Sequence, residues 1–111
     1  MNILLVDDDQ NFRRSMVIAL EARECKVYEA GDGMEALQIL SQARIDAVIM
    51  DARIPGLDGF WMADQIKNEY PDITIMMLSA HAYSEDFSQH TMLTKPVNVN
   101  VLLDRLRHGN N

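Results

Sequence analysis

Residues 3–9 read ILLVDDD, four apolar side chains running straight into three consecutive carboxylates. An apolar run without polar alternation is what a strand buried on both faces of a parallel sheet requires. Asp7, Asp8 and Asp9 then end it abruptly. Like charges side by side repel, and burying one of them without a partner is costly. Either the three form a solvated turn, or a positive charge sits among them.

The same pattern recurs along the chain. AVIM (47–50) is a second continuous apolar run, and it too stops at a carboxylate, Asp51. VYEA (27–30), TIMML (74–78) and MLT (92–94) complete a set of five expected strands. Helical patterns lie between and after them. In NFRRSMVIALEAR (11–23), Phe12, Met16 and Leu20 recur on one face, and in GMEALQILSQA (33–43) Ala36, Leu37, Leu40 and Ala43 do the same. GFWMADQIKNEY (59–70) and NVNVLLDRLRH (98–108) supply two more helices. Such alternation implies right-handed crossovers and a parallel sheet covered on both faces. The expected fold is α/β, a doubly wound five-stranded parallel sheet, in a single domain over 1–111 with no repeat or linker. One interval breaks the rhythm. From Ala80 to Thr91 there are twelve residues, and two loops of about four residues each leave roughly one helical turn. Only Tyr83 and Phe87 offer an i,i+4 apolar pair there, so the fourth helix of the pattern is expected to be shortened, irregular or mobile.

Composition narrows the function classes. At 48% hydrophobic and 24% charged the chain is an ordinary soluble one. No apolar run approaches the ~20 residues of a membrane span, and the apolar start without basic residues leads to no expected signal peptide. Cys25 is the one cysteine, which excludes an intrachain disulfide and suits a reducing cytoplasm. A net charge of −7 argues against direct nucleic-acid binding by this segment.

Function in parallel α/β sheets gathers at the carboxyl ends of the strands. Asp7 and Asp8 follow the first strand, Asp51 the third, Ser79 the fourth, and Lys95 with Pro96 the last. Clustered carboxylates call for a hard cation, and oxygen ligands suit Mg²⁺, with Mn²⁺ able to take its place. A lysine and a hydroxyl opposite them suit a phosphoryl group.

With ILLVDDD, MDARIPGLDG, MLSA and LTKP in this order, the chain resembles the receiver domain of two-component response regulators over nearly its whole length. The resemblance implies a flavodoxin-like receiver fold and a phosphorylation-switched signalling module, a phosphoprotein that catalyses its own phosphorylation and dephosphorylation rather than a turnover enzyme. It implies that Asp51 is the phosphoacceptor, supplied by a histidine kinase or a histidine phosphotransfer protein. Asp8 would ligate the metal directly, Asp7 through water, and Arg53 through its backbone carbonyl. Ser79 and Lys95 would bind the phosphoryl oxygens, the Lys95–Pro96 peptide would be cis, and Ser79 would move toward the phosphoryl group in the switch. The family's switch aromatic is replaced here by Met92, whose flexible thioether can fill either of two spaces. Arg53 and His81 match positions that border the attacking water's path. Both are large, which implies slow dephosphorylation.

Plainer roles compete for the remaining residues. Asp9 and Asp58 suit helix starts, and Pro55, Gly56 and Gly59 shape a turn. His81, His90 and His108 form no metal set, Cys25 suits a partly buried small apolar residue better than a nucleophile, and the eight methionines mainly fill the core. Trp61 falls at the edge of a helix whose buried face is Phe60, Ala63 and Ile66, as a packed ring or a partner anchor. In the last helix, Val99, Val101 and Leu103 widen the stripe of Leu102 and Leu106. That arc either covers core left open by the short fourth helix or forms a homodimer or partner surface. No effector domain is legible, so output runs through partner proteins or through whatever HGNN (108–111) leads to. The alternative to a phospho-switch is a phosphorylation-independent pseudo-receiver acting as a protein-binding module. An aspartate-nucleophile phosphatase would need a general-acid carboxylate two residues past Asp51, where Arg53 stands.

Overall fold

The computed structural model describes residues 1–54, 57–80 and 91–108. Along the chain its elements are β1 (Asn2–Val6), α1 (Gln10–Glu21), β2 (Lys26–Ala30), α2 (Gly33–Gln42), β3 (Ala47–Asp51), β4 (Arg53–Ile54), β5 (Leu57–Asp58), α3 (Gly59–Glu69), β6 (Thr74–Ser79), β7 (Thr91–Thr94) and α4 (Val99–Arg107). The five longer strands form one sheet in the order β2-β1-β3-β6-β7, every pair parallel. The fold is thus the doubly wound, flavodoxin-like arrangement read from the sequence. The expected short helix between β6 and β7, with His81 and His90, lies outside the described residues. The antiparallel pair β4–β5, with Arg53 opposite Asp58, is an addition the apolar pattern did not announce.

The pleat explains why the apolar runs show no polar alternation. Successive side chains point to opposite faces, and here both faces are covered. Ile3, Leu5, Ile49, Met76 and Leu78 pack with Met16 and Leu20 of α1 and Leu102, Leu103 and Leu106 of α4. Leu4, Val6, Val48, Met50, Ile75 and Met77 pack with Ala36 and Leu40 of α2 and Met62, Ala63 and Ile66 of α3. Each fully buried aliphatic side chain contributes about 1.5–3 kcal/mol, so β1, β3 and β6 carry most of the core's stabilisation. Two helix faces differ from the sequence reading. Leu37 is 41% exposed rather than part of the α2 stripe, and Met62 takes a buried place on α3 while Trp61 is 53% exposed. Val101 turns outward on α4, and Cys25 is buried.

The helices begin where the acidic turn residues lie. Asp9 caps α1 by accepting from the N–H groups of Asn11 and Phe12, and Asp58 caps α3 by accepting from Phe60 and Trp61. Asp32 and Asn98 cap α2 and α4 in the same way. The end of α1 is closed by Glu24 in the left-handed conformation, φ 66. Among the described residues, no helix is long and apolar enough to cross a membrane.

Candidate functional site

The chain leaves β1 toward β2 on one side and places β3 on the other, so the topological switch point falls at the carboxyl ends of β1 and β3. Asp7 follows β1 directly, and Asp51 is the last residue of β3. Their register to neighbouring strands brings the remaining groups to the same edge. Asp51 pairs with Leu78, so Ser79 ends β6 one step further on, and Ser79 pairs with Thr94, which delivers Lys95 beside it. The Lys95 N–H donates to the Ser79 carbonyl at 2.7 Å. The Lys95–Pro96 peptide is cis.

Carboxylate oxygens of Asp7, Asp8 and Asp51 all lie within 4.8 Å of one another. Asp7 is fully buried, Asp51 is partly buried and Asp8 is exposed. The Lys95 ammonium donates to Asp51 Oδ2 at 2.6 Å and to Asp7 Oδ2 at 2.8 Å. The other oxygen of each carboxylate accepts from the backbone: Asp7 Oδ1 from the Asp9 N–H at 2.8 Å, and Asp51 Oδ1 from the Arg53 N–H at 2.7 Å. The turns that follow both strands are therefore folded back onto the carboxylates that end them.

Electrostatics at this edge are unbalanced. Burial pushes the Asp7 carboxyl above its ordinary value; the Lys95 and Asp9 hydrogen bonds oppose that, and the Asp51 charge adds to it. For Lys95, burial alone would lower the ammonium, but its bonds to Asp51 and Asp7 prevail and hold it above the ordinary lysine value. Both shifts have one origin. Among the described residues, a single ammonium serves two carboxylates with a third nearby, so it is strongly held while the buried carboxylate remains under-compensated. The donor set is all oxygen, and three carboxylates against one ammonium leave about two positive charges missing, which fits a small hard divalent cation.

The structure brings together Asp7, Asp8, Asp51, Ser79 and Lys95. Ser79 is buried at the end of β6, and Arg53 follows two residues after Asp51 with its side chain exposed. Met92 is half-buried against the core under α2 and α3, opposite Met77. His81 lies outside the described residues. Two neighbours of the site were not legible in the sequence. The Phe12 ring lies under the Lys95 ammonium, 4.2 Å from ring centroid to Nζ. The Arg13 guanidinium donates to the Asp7 carbonyl and pairs with Glu29 at 3.3 Å, tying α1 to β2 over the acidic turn. The helical period placed Phe12 only in the apolar stripe of α1, and nothing in spacing links it to Lys95.

Behind this edge, Gly59 makes the close approach of α3 possible. A Cβ there would lie 2.6 Å from the Ala52 carbonyl oxygen and 2.8 Å from that of Asp51. No other residue type fits without moving the segment that carries Asp51.

Comparison with known proteins agrees with the edge just described. The response regulator receiver domain family matches residues 3–107. The response regulator MprA of Mycobacterium leprae is 35% identical over 96% of this chain and 50% of its own length. The chain thus spans about half the length of the curated relatives it matches. Among solved structures, the response regulator TrrA of Thermotoga maritima in complex with Mg²⁺–BeF aligns with a TM-score of 0.85 at 26% identity over 96% of each chain. The chemotaxis protein CheY4 of Vibrio cholerae aligns with a TM-score of 0.86 at 29% identity over 97% of each chain. With the family matched over nearly its full length and the carboxylates and lysine on one edge, this chain belongs to the response-regulator receiver domains.

Proposed function

We propose that the chain is a phosphorylation-switched signalling domain that takes a phosphoryl group onto Asp51. The observation that carries this reading is the Lys95 ammonium held between Asp51 and Asp7, at 2.6 and 2.8 Å, within a carboxylate cluster. A purely structural strand edge has no need of two carboxylates on one ammonium with a third beside them. TrrA, similar to this chain, is described in complex with Mg²⁺–BeF, which supports Mg²⁺ as the resident ion here, with Mn²⁺ as a substitute. Asp8, Asp51 and the Arg53 carbonyl would hold it, with Asp7 behind them. When bound, the ion supplies the missing positive charge beside the transferring phosphoryl group.

Each residue then has a task. An Asp51 carboxylate oxygen attacks the phosphorus of a phosphohistidine in line, forming the acyl phosphate as the P–N bond breaks and the histidine nitrogen takes a proton. The Arg53 N–H, already bonded to Asp51 Oδ1, keeps the carboxylate from rotating out of line. The Lys95 ammonium follows the charge from the carboxylate to the phosphoryl oxygens, and the Ser79 hydroxyl donates to another of them. Water later attacks the phosphorus, the bond to Asp51 breaks, and the carboxylate returns. Relocation of Ser79 and Lys95 shifts the balance between two packings of the β6 and β7 ends, with half-buried Met92 adapting beneath them. The donor is a histidine kinase or histidine phosphotransfer protein of the cytoplasm, and output passes to an effector domain or partner protein.

Intact mass after incubation with acetyl phosphate tests this, with and without Mg²⁺, on the native chain and on Asp51→Asn. The expected result is a Mg²⁺-dependent gain of one phosphoryl group that the variant lacks. A folded protein that gains none under any condition is instead a phosphorylation-independent binding module.

A further inference from the structure

Lysine ammonium groups have three N–H donors, and two of those of Lys95 are directed at Asp51 Oδ2 and Asp7 Oδ2. The same ammonium lies over the face of the Phe12 ring, with the centroid 4.2 Å from Nζ. Phe12 sits in the first turn of α1, whose start is fixed by the Asp9 cap, so the ring is held by the helix and not by the loop that carries Lys95. The Lys95 side chain is 21% exposed.

We infer that Phe12 is a positioning residue of this site, whose ring face holds the Lys95 ammonium against Asp51. The inference rests on the proposed phosphoryl transfer for its consequence, but the contact itself does not. An ammonium over an aromatic face within about 6 Å of the centroid is attracted by the ring's quadrupole. That attraction has a direction. It keeps the ammonium over the ring at this edge, so Lys95 can pass from Asp51 to an incoming phosphoryl oxygen without swinging toward solvent. An aliphatic residue at position 12 would fill the stripe with Met16 and Leu20 equally well but would not hold the charge.

The test separates ring electronics from packing. Phe12 is replaced by trifluorophenylalanine, which keeps the shape and weakens the quadrupole, and by Leu and Tyr in parallel. The groove of about 580 Å³ beside the ring, lined by Met16, Ala19, Val97 and Val99, leaves room for the added atoms. Folding equilibria in metal-free urea are measured for each variant in the native and Lys95→Met backgrounds. Loss of the aromatic face is expected to lower the folding constant about two- to five-fold more in the native background than in Lys95→Met. The acetyl phosphate reaction rate at Asp51 is expected to fall in the order Phe and Tyr, then trifluorophenylalanine, then Leu. Equal effects in both backgrounds, or a trifluoro variant as fast as the native protein, would overturn the inference. If the native chain takes no phosphoryl group, the proposed function fails, while the folding cycle still decides whether Phe12 holds the ammonium.

Discussion

Replacing Lys95 by Met removes the one cation that, among the described residues, Asp7 and Asp51 share, and its consequences can be worked from the distances. Hydrogen bonds to charged groups contribute about 1.5–3 kcal/mol each, and removing one partner of a buried ion pair costs about 3–5 kcal/mol. Here the side chains of Lys95, Asp51 and Asp7 are 21%, 13% and 0% exposed, so water reaches the ammonium but not the innermost carboxylate. The expected loss in metal-free buffer is about 2–3 kcal/mol, seen as a fall of about 1–2 M in the urea midpoint. Mg²⁺ reverses the comparison. A divalent ion about 5 Å from a unit charge is repelled by about 1.7 kcal/mol even at the dielectric constant of water. Without that repulsion, Lys95→Met should bind Mg²⁺ about tenfold tighter and recover more stability on its addition than the native protein. The assay is urea denaturation at matched ionic strength across a Mg²⁺ titration. A variant as stable as the native protein in chelator, or one with unchanged Mg²⁺ affinity, refutes the view that ammonium and metal compete for the same carboxylates.

Three further outcomes follow from the geometry. Glu24→Gly should stabilise the protein by about 0.5–1 kcal/mol, since φ 66 disfavours any residue with a Cβ, and a thermal midpoint that falls would contradict this. Gly59→Ala should cost about 1–3 kcal/mol, because the new methyl meets backbone that cannot yield, and it should slow modification of Asp51 by displacing its carbonyl; both are read by denaturation and by acetyl phosphate kinetics. The raised Lys95 value has a fixed sign: native protein binds the proton more tightly than unfolded chain, so this stabilisation is complete below 10.5 and is lost as pH rises through the native value. The metal-free stability gap between native protein and Lys95→Met should therefore narrow above 10.5, and a gap that widens there would show that the ammonium is not the source.

Much of this was open to reading because two periods are simple. Both-face burial turns β1 and β3 into unbroken apolar runs, so ILLV and AVIM reveal strand, partner layers and sheet type together. The strands' carboxyl ends then locate Asp7, Asp8, Asp51, Ser79 and Lys95 without any side-chain detail. Caps were legible for the same local reason, since Asp9 and Asp58 serve N–H groups two and three residues ahead. What spacing could not carry was contact across the chain. Leu37 matches the α2 stripe in period yet turns outward, because helix rotation is set by packing against β1 and β2 and not by the sequence of α2. Phe12 over Lys95 and Arg13 on the Asp7 carbonyl depend on how closely α1 approaches the end of the sheet. The β4–β5 pair is two residues long on each side, too short to impose a pattern.

The bond from Lys95 to Asp7 joins positions 88 apart, and the bond to Asp51 joins positions 44 apart. During synthesis, the first strand and its acidic turn leave the ribosome long before the residue that neutralises them. Until β7 docks beside β6, Asp51 ends an unfinished sheet and lacks the ammonium it pairs with. The cation of this edge thus arrives late in synthesis, and a chain truncated before residue 95 would hold Asp7 and Asp51 without the ammonium that bridges them.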